Sequence, residues 1–180
     1  MPLRNLRATW SVYRRHRAAG FVHVLDCGPR DPSAAILNHC SVLWLPEENL
    51  RAWAIDIQAE SASNTYLELA TRYADGTLVG SLNHTTPSIF DRPPWIQAEL
   101  HPGLPAAELL ALHRSRVAAI ARTPIAPWDE DPLTTAAREN QAVLAYQAER
   151  GILAPKGGDY RYTGRGAVRS VQRLARAESD

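Results

Sequence analysis

The chain has 180 residues, of which 45% are hydrophobic, 7% aromatic and 22% charged. That profile suits one domain with a buried core, and it excludes a disordered chain, a collagen-like fibre and a disulfide scaffold. The net charge of +1 hides a layout: residues 1–25 carry +5, residues 26–148 carry −7 and residues 149–180 carry +3. Basic ends around an acidic middle point to a partner at the ends, or to ends that lie back on the body.

In chain order, Leu3, Leu6, Trp10 and Tyr13 recur on one face of a helix over residues 3–19 that Gly20 ends. Its acid-free, Arg-rich surface reads as a retained basic helix rather than a presequence, with Arg4, Arg7, Trp10, Arg14 and Arg15 as its contact residues. Phe21–Leu25 is apolar on both sides and predicts a buried strand. Asp31-Pro32 is a helix-start pair and predicts a short helical turn to about His39.

From Cys40 the pattern is strand. Ser41–Leu45, a Pro-Glu-Glu-Asn turn and Leu50–Gln58 predict a hairpin, with Trp53, Ile55 and Ile57 alternating against Ala54 and Asp56. Tyr66–Tyr73 and Leu78–His84 predict a second hairpin. Asp75-Gly76 suits a type I′ turn there, which would set Tyr73 opposite Leu78, Thr71 opposite Gly80, Leu69 opposite Leu82 and Leu67 opposite His84. Glu68, Arg72, Asn83 and Ser81 would then share a polar face.

Residues 85–104 read as a proline-rich connection, long enough to be functional. It offers Ile89, Phe90, Trp95 and Ile96 as apolar anchors, or as a cap folded onto the sheet. Pro105 opens a helix to about Arg122 with Leu109, Leu110, His113, Val117 and Ile120 as its stripe. Asp131-Pro132 starts another, closed by Gly151, and Ile152–Thr163 predicts a small hairpin around Lys-Gly-Gly-Asp. The last helix spans Arg165–Ala177. Arg165, Arg169, Arg173 and Arg176 cluster on one side of it, opposite Ala167, Val168, Val171, Leu174 and Ala175.

Strands first and helices after predict an α+β fold: an antiparallel meander of about four to six strands, with C-terminal helices packed on one face. An N-terminal amphipathic helix flanks it. The domain reading is a basic helix over 1–20 and a single domain over 21–180, strands mostly in 21–84 and helices mostly in 105–177.

The chemistry is sparse. The chain lacks GxGxxG, P-loop, HExxH, GxSxG and CxxC signatures. His23, Cys27, His39 and Cys40 match no common zinc spacing, so no metal and no cofactor is expected. Cys27 or Cys40 with His39 or His84 could form a Cys–His pair, with His84 and Cys40 as the catalytic candidates for a small hydrolase, though no visible positive field would form the thiolate. Ser81 with His84 is weaker. His113 reads as a core histidine satisfied by a hydrogen bond.

Residues 144–166, a helix closing in Arg-Gly-Ile-Leu and then Gly-Asp-Tyr-Arg-Tyr-Thr-Gly-Arg-Gly, resemble the end of a winged-helix domain. The resemblance implies a wing hairpin and nucleic-acid binding through that wing and the Arg helix. Pro124, Pro127 and Pro132 make the preceding link too long for a helix-turn-helix, and the outer helix face has little base-reading chemistry.

The functional expectation is therefore a non-enzymatic accessory protein, with the small hydrolase second and nucleic-acid binding third. The terminal arginine helices and the apolar loop would dock it on a larger protein assembly or an anionic membrane surface. The expected place is the cytoplasm, peripherally on a membrane's cytoplasmic face. No stretch is apolar enough over the length needed for a bilayer-crossing helix.

Overall fold

The computed structural model describes residues 20–27, 36–59, 62–84, 91–120, 132–157 and 159–177. The expected N-terminal helix, with Arg4, Arg7, Trp10, Arg14 and Arg15, lies outside them, as do Ile89 and Phe90. The chain divides into two compact units, residues 1–85 with 97–127 and residues 86–96 with 128–180.

Among the described residues, the first unit is built on a six-stranded sheet in sequential order. Its strands are β1 (Val22–Cys27), β2 (Ile36–Leu45), β3 (Leu50–Ala59), β4 (Ala62–Arg72), β5 (Leu78–Leu82) and β6 (Ile96–Leu100). The pairings from β1 through β5 are antiparallel. Helix α1 (Ala106–Ala119) packs against β4 and β5. The α+β class and the meander are as the pattern predicts.

Four local expectations are corrected. Ile36–His39 opens β2 instead of ending a helix, because Ile36 through Leu45 pair residue for residue with Ala59 back to Leu50. The start signal itself, at Asp31-Pro32, lies outside the described residues. Within the proline-rich stretch, Ile96–Leu100 forms a strand beside β5.

The third correction is the face of β3. Its buried face is Leu50, Ala52 and Ala54, while Trp53, Ile55 and Ile57 are half-buried. The short alanine side chains belong to the same core cluster as Leu109 and Leu110 of α1. The other face still covers Val42, Ala70 and Arg51, the last with its guanidinium 5.4 Å from the centre of the Trp53 ring.

The fourth is the β4–β5 turn. Gly76 N–H donates to Tyr73 O (2.9 Å), Tyr73 N–H donates to Thr77 O (2.8 Å), and Thr77 N–H donates to Asp75 Oδ1 (3.0 Å). Gly76 alone has a positive φ, of 83°. This is a three-residue loop with a left-handed glycine, not a two-residue type I′ turn. The extra residue shifts the register by one: Arg72 faces Leu78, Ala70 faces Gly80 and Glu68 faces Leu82. A one-residue slip exchanges faces, and Ser81, expected among polar neighbours, becomes fully buried.

The second unit contains helix α2 (Pro132–Glu149), strands β7 (Leu153–Lys156) and β8 (Asp159–Tyr162), and helix α3 (Gly164–Ala177). Helix α2 ends where expected. Gly151 N–H donates to Ala148 O (2.9 Å) and Ile152 N–H to Gln147 O (2.9 Å), the double bond of a Schellman motif with a buried apolar residue after it.

Thr163 then joins the pieces. Its hydroxyl donates to Gly151 O (2.7 Å) and accepts Gly166 N–H (2.9 Å), capping α3. Helix α3 approaches so closely that a Cβ on Gly166 would stand 2.0 Å from Ile152 O. Gly166→Ala should therefore cost at least about 1–3 kcal/mol through overpacking against backbone. Gly164→Ala, with nothing within 4 Å, should change stability by less than about 1 kcal/mol. Urea unfolding of both variants checks the contrast.

Candidate functional site

Among the described residues, three constellations of polar or charged side chains stand out. The first is where α1 meets the sheet. His113 has no exposed surface; its Nδ1 lies 3.0 Å from Ser81 Oγ on β5 and its Nε2 3.0 Å from Thr71 Oγ1 on β4. Arg116, one turn along, donates from Nη1 to Ser81 Oγ (2.7 Å) and to Gly80 O. Its Nη2 pairs with Glu99 Oε1 at 3.0 Å.

Hydrogen-bond balance assigns the tautomer. Ser81 Oγ accepts from Arg116 and keeps its own proton to donate, and His113 Nδ1 is the acceptor in reach. Nε2 then carries the imidazole proton and donates to Thr71 Oγ1.

Beside this cluster lies a cavity of about 410 Å³ lined by Glu47, Glu48, Thr71, His113, Arg114 and Val117 among others. The Arg114 guanidinium grips the Glu48 carboxylate at 2.5 and 2.9 Å. Ser81 and Thr71 are both buried, and each hydroxyl is engaged by His113. Through these bonds the cluster ties α1 to both β4 and β5.

Cys40 and His84 are the second constellation. His84 stands edge-on to Tyr66 with ring centroids 5.0 Å apart, and 3.9 Å from Glu68 Oε1. Burial raises the Glu68 carboxyl above its ordinary range, against the pull of Arg51. Cys40 is opposite Ile55 on β3, which is opposite Tyr66 on β4. His84 follows β5, so β3 and β4 lie between it and Cys40, roughly 14 Å at ordinary strand spacing. The two residues thus stand three strands apart in the sheet order, and Ser81 turns to His113 instead of His84. Among the described residues no group of three His, Cys, Asp or Glu gathers as a metal ion would require.

The third constellation is the second unit. Asp91, nearly buried, accepts Arg169 Nη2 at 3.0 Å and Arg150 Nε at 3.4 Å. The Gln147 carboxamide reads the Asp91 backbone from both sides, accepting its N–H at 3.2 Å and donating to its carbonyl at 2.7 Å. Trp95 packs edge-on against Tyr146, ring centroids 5.5 Å apart. The half-buried Trp95 thus braces this unit, and Ile96 opens β6.

In α3, of the two arginines whose side chains are described, Arg165 is exposed and Arg169 is half-buried. Gly166 and Ser170 are buried and Arg169 turns inward to Asp91. Val168 and Val171, at 59% and 64% exposure, face outward beside the exposed Arg165. The α3 backbone continues through Arg173 and Arg176. Asp91 is what sequence reasoning missed: one acid in a proline-rich stretch gives no sign that two arginines more than fifty residues away converge on it.

Comparison of the chain with protein-family models, with curated proteins and with solved structures finds no match.

Burial, aided by Arg116 and opposed by Glu48, pushes the His113 pKa down to about 4 from its ordinary 6.5. Between these values the unfolded chain binds a proton that the folded chain refuses. Stability from this group is therefore full above pH ~6.5 and lost as pH falls toward ~4, on the order of 3 kcal/mol in all. His113→Gln should flatten that slope, measured as urea unfolding free energy at pH 7 and pH 4.5. A second expectation concerns Asp91→Ala, which leaves Arg169 without its acid. It should cost about 1–3 kcal/mol, less than a fully buried pair because Arg150 is half exposed.

Proposed function

We propose that this chain is a non-enzymatic accessory protein that docks peripherally on an anionic membrane surface through its C-terminal unit. The observation that carries the reading is apolar exposure next to positive charge. Of the four large apolar side chains exposed among the described residues, Tyr162, Val168 and Val171 belong to this unit. Lys156, Arg161 and Arg165 are exposed in the same stretch of chain.

Val168 and Val171 are one turn apart and so share a side of the helix. A bilayer interface accepts such a side into the acyl boundary while headgroup phosphates meet the arginines. Tyrosine suits the boundary itself, with an apolar ring and a polar tip. A nucleic-acid backbone would use the arginines and leave the valines in water. Among the described residues no helix is long and apolar enough to cross a membrane.

The small-hydrolase reading has less support, because Ser81 is buried and Cys40 lies strands away from His84.

Vesicle co-sedimentation tests the proposal. The full chain should pellet with phosphatidylserine-containing vesicles and release as salt rises, and phosphatidylcholine alone should retain little. Val168→Asp with Val171→Asp should abolish pelleting. Arg165→Gln should weaken it about fivefold, the worth of one surface charge near an anionic leaflet. Pelleting that ignores the double substitution would overturn the reading.

A further inference from the structure

Cys27 and Cys40 are the chain's two cysteines, and the β1–β2 ladder sets them directly opposite each other. The pairing is regular at this end: Leu25 faces Val42, Asp26 faces Ser41 and Cys27 faces Cys40. The neighbouring pair confirms the register through its side chains, since the Ser41 hydroxyl donates to Asp26 Oδ1 at 2.6 Å. The irregularity in this ladder falls further back, between His23 and Leu25.

Directly opposite residues of an antiparallel pair have Cα atoms about 4.5 or 5.5 Å apart, depending on the type of site. A disulfide spans Cα separations of about 4.4–6.8 Å. Either type of site therefore brings the backbone within bridging range without a change of register. Cys40 is half-buried rather than buried, so a small oxidant reaches it.

We propose that Cys27 and Cys40 form a reversible cross-strand disulfide that clamps β1 to β2. The chemistry is thiol–disulfide exchange with a small disulfide such as oxidised glutathione. The Cys40 thiolate attacks one glutathione sulfur and expels the first glutathione thiol. The Cys27 thiolate then attacks Cys40 sulfur in the mixed disulfide and expels the second. Two cysteine protons and two electrons leave the protein, and two reduced glutathiones are formed. The bridge would fasten β1, which among the described residues stands at the end of the sheet order beside β2.

The test uses the folded full chain at neutral pH, equilibrated with oxidised glutathione and then denatured in excess iodoacetamide. The expected species is a monomer lighter by two hydrogens, with no alkylated cysteine and no bound glutathione. Its melting temperature should rise, and dithiothreitol should reverse both changes. Cys27→Ser and Cys40→Ser should each keep the unbridged melting temperature under oxidation, and each should accept one glutathione or one alkyl group. Two alkylated thiols, two glutathione adducts or a disulfide-linked dimer of the wild-type chain would each overturn the proposal.

Discussion

The hold of α1 on the sheet passes through one imidazole. Leu109 and Leu110 supply apolar contact, which is non-directional and sets no unique position along the sheet. His113 does, because its two nitrogens meet hydroxyls on adjacent strands, at Thr71 and Ser81. A neutral imidazole with both nitrogens satisfied is tolerable in a core, whereas either hydroxyl left alone would carry the cost of an unmet buried group. Arg116 completes the arrangement by covering Ser81 and the Gly80 carbonyl and then reaching Glu99 near β6's end. Helix, β4, β5 and β6 are thereby bound through one hydrogen-bonded run.

The second unit uses a carboxylate in the equivalent place. Asp91 draws Arg150 after α2 and Arg169 of α3 toward one acid, while Gln147 fixes the Asp91 backbone. Thr163 closes the other side by linking the end of α2 to the start of α3. With Arg169 held inward and Gly166 pressed on Ile152, the helix cannot also bury its valines. The outward position of Val168 and Val171 follows from that rotation. The proposed membrane docking thus rests on how α3 is held, since the same helix rotated half a turn would turn Gly166 and Ser170 to the outside in place of the valines.

Much of the fold was legible from local pattern. The two long hairpins, the small one at Leu153–Tyr162, the stop at Gly151 and the α1 stripe all follow from turn residues and periodicity. Less of the candidate site was legible. His113 could be read as a buried, bonded histidine, yet Thr71 lies 42 residues away and Ser81 32 away. Asp91 gave no sign at all. Leu78–Leu82 was recognisable as a strand, while its register depended on whether two or three residues closed the turn.

By itself the sequence determined the strands of the predicted hairpins, the helices after Pro105 and Pro132, the α+β class and the charge layout, because periodicity, turn chemistry and charge are properties of short stretches of chain. Only the tertiary structure decided which face of β3 meets the helix, that Ile96–Leu100 is a strand, that Cys27 stands opposite Cys40, and which side of α3 meets water. Each of these depends on partners distant in sequence. Their hydrogen bonds and burial outweigh the small local preferences that a single stretch of residues expresses.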